Sequence, residues 1–330
     1  MDANLIMKIT KASGVSPGEL VLVHFWGEDG EKSIANEFVT AVAALGASPV
    51  LLQQARSLNQ KLFLHAAESS FDMRYFEIFS KFDVVLDVFA YQPITLGKKI
   101  DEEKMVLYRK YISGIFDALI KSKRFVQIRV PTQENGMESG LDPQEYIRRM
   151  TAAYDIDYDA LRCRCLQEVE KYKGKNRVCI RTGTDCQLNL ELFGRKWHVD
   201  AGTGDFPCGE IYIAPIEGKT DGKISFEKLH LAGVKYENVT LLIREGVICG
   251  SNCREVDLYF ANQPRENKVI CEFGLGMNDH IGELCGYSLL DETMAGTFHI
   301  AVGANTMFGG ENSASVHMDF VGRGKVEITE

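Results

Sequence analysis

A histidine and an aspartate lie two positions apart in the segment SASVHMDFV, residues 313–321. In a β-strand, side chains at positions i and i+2 project from the same face, so His317 and Asp319 would point the same way. An imidazole nitrogen and a carboxylate oxygen are both common ligands of divalent cations. The pair therefore indicates a metal-binding strand. A solvent-exposed pair with no special function is the competing interpretation.

Three further segments place a single ionisable residue in a short apolar strand pattern. They are GTFHIAVG with His299, VICEFGLGMN with Glu272, and FPCGEIYIAP with Glu210. Burying an ionised glutamate in an apolar strand is costly unless a partner compensates its charge. One such glutamate is explained by a salt bridge, but two glutamates, two histidines and an aspartate in the same part of the chain suggest one shared cation site.

The composition of this ligand set favours catalysis over a structural role. The five residues include no cysteine, whereas structural zinc sites are usually closed tetrahedra built with thiolates. Three carboxylates and two imidazoles suffice to hold two divalent ions about 3.5–4 Å apart, as in hydrolytic two-metal sites. Such ions would lower the pKa of a bridging water and polarise a carbonyl group.

The elements of the first half must scaffold this site. The apolar run LVLVHFW, residues 20–26, predicts a buried strand, and a helical pattern ending at Gly46 follows it. Strand, helix and strand in succession indicate a parallel sheet, with further strands predicted at 82–90 and 124–130. The polar stretch 131–146 is predicted to be a connection that ends in a helix start at Asp142 and Pro143.

From about residue 175 the pattern changes to short alternating runs broken by turns, and FGRKW, residues 193–197, is typical of a hairpin. We therefore predict an α/β chain with an N-terminal parallel-sheet domain followed by a β-rich metal-binding domain. Residues 1–174 would form the scaffold with its connecting helices, and residues 175–330 would form the catalytic domain.

Composition narrows the class of protein. The chain of 330 residues has a formal net charge of −9 and a pI near 5.4, which disfavours nucleic acid as a partner. No apolar run is long enough for a membrane span and no signal peptide is recognisable, so a cytoplasmic location is expected. Nine cysteines without a paired spacing are typical of reduced, buried thiols. The loop 27–30 lacks a dinucleotide-binding glycine pattern.

The segments that carry the candidate ligands resemble the thermophilic metallo-aminopeptidase family, which includes aminopeptidases T and S. The similar segments are GDFPCGEIYIAP, CEFGLGMN, LLDETMAGTFHIAVG and FGGENSASVHMDF, and they cover most of the C-terminal half. The resemblance implies metal ligation by Glu210, Glu272, His299, His317 and Asp319, with one glutamate bridging two ions. It also implies that Glu292 is a further acidic residue near the metals.

By this resemblance, the protein is expected to release N-terminal residues from small peptides. Two divalent ions per chain (zinc, cobalt or manganese) would activate a water molecule, Glu210, Glu272 or Glu292 would transfer the proton, and the chain would form a homodimer. Where family members have a tyrosine thought to stabilise the tetrahedral intermediate, this sequence has Thr306, whose hydroxyl reaches less far.

Two alternatives stay open on the sequence. The iron-dependent dihydroxypyridine ring-cleaving dioxygenases resemble the same fold and use two histidines and an aspartate on a single iron, to which His317 and Asp319 would correspond. The other alternative is a non-catalytic dimer that is stabilised by its metals. The glutamates favour the hydrolase, because extra carboxylates help to hold a second ion.

Overall fold

The computed structural model describes residues 1–93, 96 and 100–330. The contacts between these residues group them into two compact units. The first comprises Met1–Tyr158 with Gly202–Cys208, and the second comprises Asp159–Ala201 with Gly209–Glu330. The division into domains between residues 174 and 175 stays a prediction.

Helices dominate the first half of the chain and strands dominate the second. The described helices are α1 Ala3–Ala12, α2 Lys32–Ala44, α3 Arg56–His65, α4 Met73–Glu77, α5 Glu102–Leu119, α6 Gln133–Glu138, α7 Pro143–Tyr154, α8 Tyr158–Lys171, α9 Arg254–Ala261 and α10 Ser288–Asp291. The described strands are β1 Leu20–Trp26, β2 Ser48–Gln54, β3 Val84–Phe89, β4 Arg124–Arg129, β5 Arg177–Thr182, β6 Cys186–Glu191, β7 His198–Asp200, β8 Asp205–Phe206, β9 Glu210–Ile213, β10 Thr220–Leu231, β11 Val234–Arg244, β12 Val247–Ser251, β13 Ile270–Gly276, β14 Phe298–Gly303, β15 His317–Gly322 and β16 Lys325–Thr329.

The first unit is built on a parallel sheet with the strand order β2-β1-β3-β4-β8. Its central strand β3 is buried along its whole length, as expected for a strand covered on both faces. Gly46 adopts a φ of 80° just after α2, a left-handed conformation that glycine allows at a helix end. The predicted parallel-sheet architecture of this half is confirmed.

The polar stretch 131–146 is more structured than a connection. It contains α6, whose first turn is capped where the Thr132 hydroxyl accepts a hydrogen bond of 3.2 Å from the Asn135 N–H. The proline and glycine content of the stretch hid this short helix. The predicted start of α7 is confirmed, because Asp142 accepts from the N–H groups of Gln144 and Glu145.

Two antiparallel sheets form the second unit. One has the strand order β12-β11-β10-β6-β5-β16 and the other has the order β15-β14-β13-β9-β7. Their inner faces share one hydrophobic core, which includes Ile224 and Phe226 from the first sheet and Phe273, Ile300 and Phe320 from the second. The predicted β-rich character of the second half is confirmed.

The hairpin predicted at FGRKW is wrong. The strands on either side of it, β6 and β7, belong to different sheets, so the turn carries the chain from one sheet to the other. Locally it is still a turn, in which the Arg195 N–H donates to the Leu192 carbonyl at 2.9 Å. Sequence patterns specify such a local turn but not the partner of each strand.

None of the described helices combines the length and the apolar character required to cross a lipid bilayer.

Candidate metal centre

The five predicted ligands lie on one face of the β15-β14-β13-β9-β7 sheet. Strand register places Asp319 opposite Ala301 and Ala301 opposite Glu272, so this small residue separates two carboxylates across three adjacent strands. His299 lies two residues before Ala301 and therefore projects from the same face. Glu210 reaches this face from β9, where it pairs with Gly276.

The absence of a side chain at Gly274 leaves space for the buried imidazole of His299. Gly274 of β13 lies opposite His299, and a Cβ atom there would lie 2.0 Å from His299 Nε2. The ring therefore lies across the bare backbone of the neighbouring strand. The opposite face of the same strands supplies Phe273 and Ile300 to the core, so each strand is apolar inside and polar outside.

A chain of carboxylate–imidazole contacts links the five side chains. His299 Nε2 lies 3.5 Å from Glu210 Oε2 and 3.3 Å from Glu272 Oε1. His317 Nε2 lies 3.4 Å from Glu272 Oε2 and 3.7 Å from Asp319 Oδ1. The two oxygens of Glu272 thus face different histidines, which places this carboxylate at the centre of the group.

These separations fit a divalent cation better than direct ion pairs. Charge-assisted hydrogen bonds are usually about 2.7–2.9 Å long. Two ligands that each lie about 2.1 Å from a tetrahedral ion are about 3.4 Å apart. Glu272, His317 and Asp319 each offer a ligand atom, and these atoms lie within 4.8 Å of one another. The donor set therefore fits a divalent metal ion.

The carboxylates of this group raise the pKa of both histidines. Burial alone would lower the pKa of His299, but the hydrogen bond to Glu272 and the charge of Glu210 outweigh it and raise the pKa to about 9. The pKa of His317 is also raised. Burial alone would lower it, but the hydrogen bonds with Asp319 and Cys271 outweigh burial. Both upward shifts of pKa follow from the negative charge of the carboxylates around the two rings.

The two glutamates shift in opposite directions. Burial would raise the pKa of Glu272, but the hydrogen bonds from His299 and His317 lower it to about 2. Burial, together with the charges of the neighbouring carboxylates, raises the pKa of Glu210 to about 8. The charge of His299 offsets this rise in pKa only in part. The difference follows from position, because Glu272 lies between two imidazoles and Glu210 contacts one.

A hydrogen bond to the backbone orients the imidazole ring of His317. Its Nδ1 lies 2.9 Å from the Ala304 carbonyl oxygen, which can only accept a hydrogen bond, so Nδ1 is the donor. Nε2 is then the nitrogen available to a metal, and this orientation by a backbone carbonyl is typical of metal-binding histidines. His299 differs, because its buried Nδ1 has no hydrogen-bond partner within the described part of the chain.

One carboxylate near the site was missed on the sequence. Asp200 of β7 is buried, pairs in register with Glu210 and raises the pKa of that residue. On the same strand, His198 stacks on Tyr212 with ring centroids 5.2 Å apart. The signal was present, because His198 and Asp200 have the i, i+2 spacing of His317 and Asp319.

Glu292 and Thr306 lie beside the five ligands in sequence but in different local settings. Glu292 ends α10, and its backbone carbonyl oxygen lies close to Gly276, the residue that pairs with Glu210. Its predicted part in proton transfer stays a prediction. Thr306 is exposed and begins a 3₁₀ turn, Thr306–Phe308, in the loop between β14 and β15.

Comparison with known families decides the assignment. The thermophilic metalloprotease family (M29) matches residues 3–329. The chain belongs to this family. A comparison with curated proteins gives no match. Membership makes the chain a metal-dependent hydrolase that acts on peptides, as predicted.

Solved structures agree on the fold of this M29 chain. AmpT from Thermus thermophilus has a TM-score of 0.70 and 16% sequence identity, with 98% of this chain and 97% of that chain covered. The 2,5-dihydroxypyridine dioxygenase from Pseudomonas putida KT2440 has a TM-score of 0.65 and 14% identity, with 99% and 93% covered. At these identities the likeness concerns the fold alone.

Proposed function

We propose that this M29 chain is an aminopeptidase that uses two divalent ions bridged by Glu272. The observation that supports the proposal is that the two carboxylate oxygens of Glu272 face different histidines. Its Oε1 is 3.3 Å from one imidazole, whereas its Oε2 is 3.4 Å from the other. A carboxylate whose two oxygens face two separate donor groups is suited to bridging two ions.

These contacts support a proposal of two ligand groups. His317 and Asp319 would hold one ion together with Glu272 Oε2, and His299 and Glu210 would hold the other together with Glu272 Oε1. Each group combines imidazole and carboxylate and contains no thiolate, which suits zinc, cobalt or manganese in a hydrolytic site.

Charge balance supports two ions over one. Glu210, Glu272, Asp319 and the adjacent Asp200 carry four negative charges when ionised, and neutral imidazoles add none. Two divalent ions contribute four positive charges and neutralise this group, whereas one ion leaves two negative charges in a largely buried setting. Uncompensated buried charge is strongly unfavourable.

When bound, the ions would supply a water of lowered pKa and a polarised peptide carbonyl. The residues of the chain then have distinct tasks. Glu272 and the histidines fix the separation of the two ligand groups, and the Ala304 carbonyl holds His317 in the orientation that directs Nε2 inward. We propose Glu292 for proton transfer, since Glu210 and Glu272 serve as ligands. The substrate would be a small peptide with a free amino terminus.

Metal stoichiometry tests this proposal directly. Purified protein would be loaded with zinc, cobalt or manganese, freed of excess ion, analysed for bound metal and assayed on a panel of dipeptides. We expect two ions per chain and release of the N-terminal residue. Glu210→Gln should keep one ion. Glu191→Gln, which alters an exposed glutamate of β6, should keep both.

Other outcomes identify the alternatives. A single bound iron with ring cleavage of a dihydroxypyridine would replace the peptidase with an oxygenase. Bound metal that raises the unfolding temperature without turnover of any peptide would indicate a non-catalytic protein. The proposed homodimer is a separate question, which light scattering on the purified protein answers by a mass of twice that of one chain.

A further inference from the structure

The loop between β14 and β15 is organised around one buried amide. Asn305 is fully buried, and its side-chain nitrogen donates to Glu217 Oε1 at 2.8 Å and to the Cys271 carbonyl at 3.1 Å. Its side-chain oxygen accepts from the Asn312 N–H at 2.9 Å. Both donor hydrogens and the acceptor oxygen are therefore used.

Each end of this network adjoins a proposed metal ligand. The Cys271 carbonyl belongs to the residue immediately before Glu272, at the β-bulge where the register between β13 and β14 shifts. A bulge re-aims the side chains of its strand, so a hydrogen bond that fixes it also fixes the direction of Glu272. On the other side, Asn305 follows Ala304, whose carbonyl accepts from His317 Nδ1 at 2.9 Å.

The chain at Gly310 passes close to the Asn305 amide and leaves no room for a side chain there. A Cβ atom at Gly310 would lie 1.9 Å from Asn305 Cγ, so the chain passes the amide at a point where only glycine fits. The Gly310 N–H donates to the Asn305 carbonyl at 2.9 Å and closes the loop around it. Both the backbone and the side chain of Asn305 are thus held by contacts within this loop.

A salt bridge anchors the network. Glu217 Oε2 accepts from Arg195 Nη2 at 2.5 Å, and its Oε1 also accepts from the Glu311 N–H at 2.8 Å. Arg195 donates in addition to the Gly309 carbonyl. Arg195 therefore supports this loop through both Glu217 and the Gly309 carbonyl.

We propose that Asn305 is a positioning residue that sets the orientation of Glu272 and of His317 for metal binding. It acts through the Cys271 carbonyl, which accepts its hydrogen bond, and through the adjoining Ala304 carbonyl, which accepts from His317. The inference rests on the ligand set of the proposed function. It differs from a purely structural role because it requires the geometry at the metal to change when the amide is lost.

The test compares two variants with a matched control. Asn305→Ala removes the amide. Asn305→Asp keeps its size and an acceptor for Asn312 but cannot donate to Cys271 while ionised. Asn135→Ala removes another buried amide, one that donates to the Phe89 and Val130 carbonyls in the first unit. All three should lower the unfolding temperature, so stability alone does not distinguish them.

Metal binding does distinguish them. We expect both Asn305 variants to bind zinc about 10–100-fold more weakly in a chelator competition. We also expect an altered absorption spectrum of bound cobalt, which reports ligand geometry independently of activity. Asn135→Ala should match the wild type in both measurements. If Asn305→Ala does not fold, Asn305→Asp gives the same comparison.

The result that overturns the inference is wild-type zinc affinity with an unchanged cobalt spectrum in the folded Asn305 variants. An equal loss of affinity in Asn135→Ala would also overturn it, because the effect would then be general destabilisation. Failure of the proposed function looks different: the wild-type chain itself would then bind fewer than two ions.

Discussion

Substitution of Gly274 by alanine tests whether the bare backbone beside His299 is needed. The added Cβ would lie 2.0 Å from His299 Nε2 and 2.2 Å from Cε1, far inside van der Waals contact at about 3.5–4.0 Å. The side chain of His299 is only 1% exposed, so the ring has little room to move away. We expect the ring to be displaced from Glu272 and from the proposed ion.

The expected change in stability is the sum of two opposing effects. Alanine restricts the unfolded chain and alone would stabilise the protein by about 0.4–1 kcal/mol. Overpacking a well-packed site typically costs about 1–3 kcal/mol. Because the overlap is severe and involves a buried ring, the upper part of that range applies, and the net destabilisation should be about 2 kcal/mol.

Thermal unfolding with and without added zinc measures both consequences. A loss of about 2 kcal/mol lowers the unfolding temperature of a domain of this size by roughly 4–8 °C. Zinc should stabilise the wild-type chain, by about 2.7 kcal/mol at 100 times its dissociation constant, and should stabilise Gly274→Ala much less.

Gly250→Ala is the matched control. This glycine also lies in a strand of the second unit, β12, and a Cβ atom there would meet nothing within 4 Å. It should unfold at or slightly above the wild-type temperature, with a full response to zinc. If Gly274→Ala behaves like Gly250→Ala in both respects, the bare backbone at Gly274 is not needed to hold His299.

Three further predictions concern separate parts of the fold. Glu272→Gln should abolish binding of both ions in metal analysis, because both proposed ligand groups share this side chain. Asp142→Ala should lower the free energy of unfolding by about 0.5–2 kcal/mol in urea titration, because it removes the cap of α7. Asp83→Asn should destabilise the protein at neutral pH but not in acid. The Asp83 carboxylate accepts hydrogen bonds from Lys123 and from the Leu20 N–H, and these lower its pKa in the folded protein. Its contribution to the free energy of unfolding is therefore present above the ordinary pKa of 3.8 and is lost as the pH falls through the lowered pKa. Urea titrations of both chains at several pH values check this, and a pH-independent difference would contradict it.

Strand alternation is the reason that the sequence could predict which side chains form the candidate site. A polar residue in an otherwise apolar strand must leave the core face, and Glu272, His299 and Asp319 all do so on the same side of one sheet. Their convergence was not contained in any one segment. It depends on the register of β13, β14 and β15, which local patterns do not specify.

The failures have equally definite causes. Asp200 lies in a strand of three residues, which is too short to show a periodic pattern beyond the one pair it forms with His198. A turn is present at residues 193–197, as predicted, but β6 and β7 do not pair with each other. The partner of each strand depends on the packing of whole sheets. The short helix α6 depends on one cap at Thr132 within a stretch rich in turn-forming residues.

The five side chains are exposed to very different degrees. His299 is 1% exposed and Glu272 is 8% exposed, whereas His317 is 32% exposed. In the two-ion arrangement proposed above, the ion held by His299 and Glu210 would have the more buried ligands, because these side chains are 1% and 16% exposed, whereas His317 and Asp319 are 32% and 20% exposed. Loading would then be ordered, with the deeper position exchanging slowly and the shallower one equilibrating with the surrounding medium. A brief exposure to chelator should therefore strip one ion first and leave a half-loaded protein.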